Sequence, residues 1–174
     1  VCITASTLLD AVRNLPEQPI TFVIDDKDKS VTIHYLNGHY DMAGLGCDEY
    51  PMMQNEGDIR FDMDVATLCN SIDQSLYAVS YDALRPVMTG ISYTFADGKL
   101  ECAASDGHKL VRNTYPLARS VEDCRFILSA KAAKIVKLLL QKKQGSVEVE
   151  CNGRNIVFKT DTDSFSTRLI EGVY

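Results

Sequence analysis

Long apolar runs are missing from this chain of 174 residues. The longest apolar cluster, Ile135 to Leu140, is broken by Lys137. A membrane-spanning helix needs roughly 20 apolar residues, so no membrane partner is expected. No secretory leader is expected either, because Val1 to Leu9 has neither a basic start nor a cleavage pattern. With no initiator Met, the chain is expected to be cut from something longer. Paired-cysteine motifs are also absent. Cys2, Cys47, Cys69, Cys102, Cys124 and Cys151 are scattered singly with no CxxC, which argues against zinc sites and a disulfide framework. Cys69 and Cys102 sit in apolar segments, where a free thiol behaves as a small hydrophobe. Reduced cysteines and a cytoplasmic compartment are therefore expected. No HExxH, GxSxG or Walker-type loop occurs, and no metal or cofactor is implied. His108 beside Asp106 suggests acid–base chemistry, but a hydrolase built on it lacks a nucleophile and a third orienting group.

What is present is an ordinary globular composition, 45% hydrophobic and 24% charged, enough for one domain or two small ones. The net charge of −6 argues against a surface coated with phosphate contacts. The basic residues are nevertheless partly segregated, with Lys131, Lys134, Lys137, Lys142 and Lys143 close together. Acidic residues crowd elsewhere, at Asp25-Asp26, Asp48-Glu49 and Asp58 to Asp64.

Internal repetition organises the chain. One copy starts at Ile3-Thr4-Ala5 and continues as a helical pattern through Leu8, Ala11, Val12 and Leu15. Strands Ile20 to Ile24, Val31 to Tyr35 and His39 to Ala43 complete it. A second copy has a strand from Ile59 to Met63 and a helix with Val65, Leu68, Cys69, Ile72 and Leu76 on one face, with Asp64 as its N-cap. Its strands are Val87 to Phe95, Leu100 to Ala104 and Leu110 to Tyr115, punctuated by Asp97-Gly98 and Asp106-Gly107. The third copy has Phe126-Ile127-Leu128, a helix through Ala133, Val136 and Leu140, and strands Val147 to Glu150, Ile156 to Lys159 and Phe165 to Leu169. One copy has too little sheet to bury its own apolar face, so copies should pair. Copies two and three read as one complete domain, and Met53 to Gly57 as a linker.

The segment Ala103-Ala104-Ser105-Asp106-Gly107-His108-Lys109-Leu110 resembles the central-domain motif of the bacterial DNA sliding clamps, the beta subunits of DNA polymerase III. In that family the motif typically runs alanine-threonine-aspartate-glycine-histidine-arginine-leucine. Leu84-Arg85-Pro86-Val87-Met88-Thr89-Gly90, Asp48-Glu49-Tyr50-Pro51 and Phe165 to Tyr174 agree with it in order and spacing, so the resemblance covers essentially the whole chain. It implies an α+β DNA-clamp fold of repeated strand-helix-three-strand units, with helices on the channel face and antiparallel sheet outside. Residues 1–54 would be the C-terminal half of clamp domain one plus a linker, and residues 55–174 a nearly complete domain two. Domain three would be missing. The implied function is that of a non-catalytic processivity factor. As a homodimeric ring it would encircle double-stranded DNA and tether the polymerase III catalytic subunit, the clamp loader and other proteins with clamp-binding motifs. A protein-interaction adaptor that does not encircle DNA is the alternative.

By the same resemblance, Met88, Ser105, Gly107, His108, Lys109 and Leu110 form one wall of a partner-peptide pocket. Met and Leu suit an adaptable apolar floor, and Gly a close backbone approach. From the local pattern alone, Asp106-Gly107 reads rather as a simple hairpin turn with flanking core residues. Only half a site is expected here, and hence weak or no peptide binding by this chain alone. Lys131, Lys134 and Lys137, spaced i, i+3, i+6, are expected to face DNA, with Arg13 and Arg85 as further candidates; a solvated helix face would place the lysines equally well. In the family the loop around Arg85 carries aromatic DNA contacts, and here those positions are Pro86 and Val87. Gly38, His39, Tyr40, Asp41, Met42 and Ala43 correspond to the edge strand that pairs with domain three of a neighbouring subunit. Without that domain, the ring is expected not to close.

Overall fold

The computed structural model describes residues 1–50, 57–119 and 121–174, with the side chain of Glu49 left aside. Pro51 and the expected linker, apart from Gly57, lie outside the described residues. The chain divides into two compact units, Val1–Met52 and Met53–Tyr174.

In the first unit, helix α1 (Ala5–Arg13) is followed by β1 (Thr21–Asp25), β2 (Ser30–Tyr35) and β3 (Gly38–Ala43). The strands form an antiparallel sheet in the order β1-β2-β3. Every second residue of β2 turns inward, so Val31 and Ile33 meet Met42 in a small core. Val1, Ile3, Leu8 and Val12 lean on it from outside, and no residue of α1 is fully buried. The structure trims two expectations. Leu15 falls beyond the helix, whose C-cap is Asn14. The start of this copy has no strand of its own, only a bridge in which Cys2 and Leu45 exchange backbone hydrogen bonds of 2.8 Å.

The second unit contains two full copies. The first comprises β4 (Ile59–Asp64), α2 (Val65–Leu76), β5 (Gly90–Ala96), β6 (Lys99–Ser105) and β7 (Leu110–Pro116). The next comprises β8 (Cys124–Ser129), α3 (Ala130–Leu140), β9 (Ser146–Cys151), β10 (Asn155–Lys159) and β11 (Ser164–Arg168). The copies pair by exchanging their first strands: the two sheets run β7-β6-β5-β8 and β11-β10-β9-β4. Each copy therefore supplies three strands to one sheet and an edge strand to the other. This covers the open edges of β5 and β9 and fuses both sheets into one core. Ile91, Tyr93, Phe95, Leu100, Cys102, Leu128, Val147, Val149 and Ile156 fill that core together with Leu68 and Ile72 of α2 and Ala133, Val136 and Leu140 of α3. Phe61 and Phe95, from different sheets, meet at 4.7 Å between ring centroids.

Equivalent positions of the two copies use the same local chemistry. Asp64 accepts a hydrogen bond from Thr67 N (2.8 Å) at the start of α2. Ser129 accepts one from Ala132 N (3.2 Å) at the start of α3. Each satisfies an amide that the first helical turn leaves unpaired. One strand begins later than the sequence suggests: Pro86–Thr89 is a 3-10 turn, and β5 starts at Gly90. Pro86 has no N–H to offer a ladder, while Met88 O accepts from Ser80 N at 2.8 Å and holds the turn to the incoming loop.

Candidate nucleic-acid and peptide interface

The Asp106-Gly107 segment links β6 to β7 as a four-residue hairpin loop closed by the pair Ser105↔Leu110. Asp106 Oδ1 accepts from His108 N (3.0 Å) and Lys109 N (2.9 Å), and its other oxygen pairs with Lys109 Nζ. Lys109 and these two amides hold the Asp106 carboxyl far below the usual carboxylate range. Ser105 Oγ donates to Lys109 O and accepts from Gly107 N. Ser105 and Lys109 thus serve the turn itself, which satisfies the simple hairpin reading. Gly107, His108 and Leu110 remain exposed around it, Leu110 by 70%.

The chain's last residues return to this hairpin. Ile170 N donates to Ile127 O (3.0 Å), and Arg125 holds Tyr174 O at 3.0 Å. Tyr174 Oη donates to Ser105 O at 3.5 Å. Gly172 lies so close to Val87 that a Cβ there would stand 2.5 Å from Val87 Cγ1. Half-buried Met88 belongs to the same 3-10 turn as Val87. Ile170, Gly172 and Tyr174 therefore extend this surface. Sequence reasoning had them only as matching residues, because nothing local shows that the tail folds back across β8.

Lys131 and Lys134 project from α3, both exposed. They line a cleft of about 530 Å³ with Ser80, Tyr81, Ala83, Pro86, Thr89, Ser129 and Ala130. Lys137 is placed differently, since its ammonium pairs with Asp73 of α2. Arg85 pairs with Asp82 (Nε to Oδ2, 3.1 Å) and lies against Gly107, where a Cβ would come within 3.0 Å of its guanidinium. It thus sits on the hairpin side of its loop. Sequence reasoning missed Tyr81, which is 84% exposed and shares the lysine cleft. Its only sequence signal is an aromatic outside the helical period. The polar face of α2 is Asn70, Asp73 and Gln74, all exposed.

In the first unit, Arg13 is exposed in the last turn of α1. Strand β3, carrying Gly38 to Ala43, pairs with β2 on one side and ends the sheet on the other. His39 Nε2 lies 3.3 Å from Asp41 Oδ2, and Asp41 also accepts from Thr32. Among the described residues no group of His, Cys, Asp and Glu is arranged to hold a metal, and no helix is long and apolar enough to cross a membrane.

Comparison with known families settles what this architecture is. The family described as DNA polymerase III beta subunit, central domain, matches residues 62–174, and its N-terminal-domain counterpart matches residues 1–54. The chain belongs to the DNA polymerase III beta subunit family. It is 28% identical to the beta sliding clamp of Halalkalibacterium halodurans over 178 aligned residues, covering all of this chain and 47% of that protein. It is 26% identical to a beta sliding clamp of Staphylococcus aureus, covering 95% of this chain and 44% of that protein. Solved sliding clamps share the fold. The Bacillus subtilis clamp gives a TM-score of 0.85 at 23% identity, over 99% of this chain and 46% of that one. A Bartonella birtlesii clamp bound to griselimycin gives 0.84 at 24% identity, over 99% and 48%. The chain spans about half the length of the clamp relatives it matches. The clamp family also accounts for the α+β repeat architecture, with helices packed together and antiparallel sheet behind them.

Proposed function

We propose that this chain is the part of a DNA polymerase processivity factor comprising the C-terminal half of clamp domain one, residues 1–54, and nearly all of domain two, residues 55–174. The whole protein encircles duplex DNA as a homodimeric ring and tethers the polymerase III catalytic subunit. The clamp loader and other proteins carrying clamp-binding motifs engage the same ring. Its role is topological, and no residue acts catalytically.

The observation that carries this reading is the cleft shared by Lys131, Lys134 and Tyr81 on the helix side of a clamp-family domain. Two exposed lysines attract phosphates without an extensive basic surface, and sparse contact leaves the protein free to move along the duplex. Arg13 adds charge on α1, while Lys137 contributes less because Asp73 already pairs with it. The hairpin and the returning tail supply half of a partner-peptide pocket from Met88, Ser105, Gly107, His108, Lys109 and Leu110, with Val87, Ile170 and Gly172 beside them. The unpaired edge of β3 supports pairing with a neighbouring subunit.

The other edge of the first sheet supports the half-domain assignment. In the second unit, the strands equivalent to β1 are each covered by the first strand of the other copy. Among the described residues, β1 of the first unit has no such neighbour, and Phe22, Val23 and Ile24 are exposed. A further copy preceding this one would cover them in the same way.

The test is retention of the full-length protein on nicked circular DNA after loading by a clamp loader. Protein that stays on circles and runs off once they are linearised establishes encirclement. Equal retention on both forms means ordinary contact binding, and no retention on either means a non-encircling adaptor.

A further inference from the structure

Two thiols in the first unit touch although they are far apart in sequence. Cys2 Sγ and Cys47 Sγ lie 3.8 Å apart, and all six cysteines are free thiols. The contact is built by the backbone. Cys2 and Leu45 exchange two hydrogen bonds of 2.8 Å, and Cys47 follows at the start of the 3-10 turn Cys47–Glu49. Gly44 makes this approach possible, since a Cβ there would come within 2.9 Å of Cys2 O and 2.7 Å of Lys29 O. Cys47 is exposed and Cys2 half-buried, so a small disulfide can reach the first sulfur while the second waits beside it.

We propose that Cys2 and Cys47 are a redox modification site that closes to an intramolecular disulfide with low-molecular-weight disulfides. The Cys47 thiolate attacks one sulfur of the small disulfide and forms a mixed disulfide, expelling one small thiolate. The Cys2 thiolate then attacks the Cys47 sulfur, forms the Cys2–Cys47 bond and expels the second small thiolate. Two protein thiols are oxidised, one small disulfide is reduced to two thiols, and the protons pass to them. The S–S bond length of about 2.05 Å requires the two sulfurs to approach by about 1.8 Å from their 3.8 Å contact.

The location gives the bond a consequence. Among the described residues, the first unit fully buries only Val31, Ile33 and Met42 as its apolar core. Its opening segment is fastened to the segment after β3 by the Cys2–Leu45 bridge. A covalent closure there constrains the unfolded chain over a long loop where burial contributes least. Cys102 is poorly suited to this exchange, because burial pushes its thiol up to about 12, which keeps it protonated and inert.

The test equilibrates the full-length protein with glutathione buffers of increasing disulfide content, blocks free thiols with N-ethylmaleimide, and digests with trypsin. A cross-linked pair is expected between the peptide ending at Arg13 and the peptide 30–60, reversed by dithiothreitol. Cys2→Ser should leave Cys47 as a glutathione adduct. Single adducts on both cysteines of the unsubstituted protein would overturn the proposal. So would a cross-link between two copies on a non-reducing gel, or unmodified Cys2 and Cys47 at the most oxidising ratio.

Discussion

The two units use the same strand-helix-three-strand plan and reach different degrees of burial. In the second, two copies lend each other a strand, so β5 and β9 become interior strands and both helices lie over a shared core. In the first, a single copy keeps β1 at an open edge and leaves every residue of that strand exposed. Strand exchange therefore buries in the second unit what a single copy leaves open in the first. Sheet edges and an apolar helix face are satisfied only when strands are exchanged.

Substitution in the two cores should break this comparison most sharply. Ile91→Ala removes a fully buried side chain next to the exchanged strand β8 and should destabilise the second unit by about 2–5 kcal/mol. Ile33→Ala, equally buried in the first unit, should leave the second unit's unfolding unchanged. Hydrogen exchange with urea, read separately for amides of β5 and β2, decides this; joint loss of protection in both would show a single cooperative block.

A smaller effect is expected at Glu150, which is 1% exposed and held by Lys159 Nζ at 2.7 Å and Arg60 Nε at 3.1 Å. Lys159 first, and Arg60 after it, keep its carboxyl below the usual range. A depressed carboxylate adds stability that is present above its unfolded value, about 4.3, and is lost as pH falls through the folded value. The urea midpoint of the second unit should therefore fall on acidification below about pH 5. Glu150→Gln should flatten part of that fall, and an unchanged acid limb would remove Glu150 from the account.

The two helix caps test whether the paired copies are energetically alike. Asp64→Ala and Ser129→Ala should each cost about 1 kcal/mol by thermal or urea unfolding. A loss at one cap only would show that the copies share a plan without sharing its energetics. The smallest changes are expected on the helix surface. In full-length protein, Lys131→Ala and Lys134→Ala should each reduce the slope of log affinity for DNA against log salt by about 1. Lys137→Ala should reduce it less, because Asp73 already pairs with that ammonium. Equal slopes for all three variants would remove the distinction drawn between them.

Much of the fold was legible in the sequence because it depends on local period. Alternation placed β2, β6, β9 and β10, the helical spacing of Val65, Leu68 and Ile72 placed α2, and Asp64 marked its start. The β6–β7 hairpin was legible from Asp106-Gly107, since the side chain of Asp106 closes the turn on its own neighbours. The late start of β5 was not, because an apolar Val87-Met88 pair suits a strand as well as a 3-10 turn. The candidate site was less legible still. Spacing put three lysines on one helix, but only the neighbouring α2 decided that Lys137 meets Asp73, and only the loop after α2 brought Tyr81 to Lys131 and Lys134.

By itself, then, the sequence determined the repeat, its helices and strands, and the motif residues that mark the family, because periodicity, capping and turn chemistry act within a few residues. Tertiary structure alone decided the strand exchange, the return of Ile170 to Tyr174 onto the hairpin, and the meeting of Cys2 with Cys47. Each joins residues distant in the chain, and which edges and side chains meet there depends on burying surfaces that no local pattern specifies.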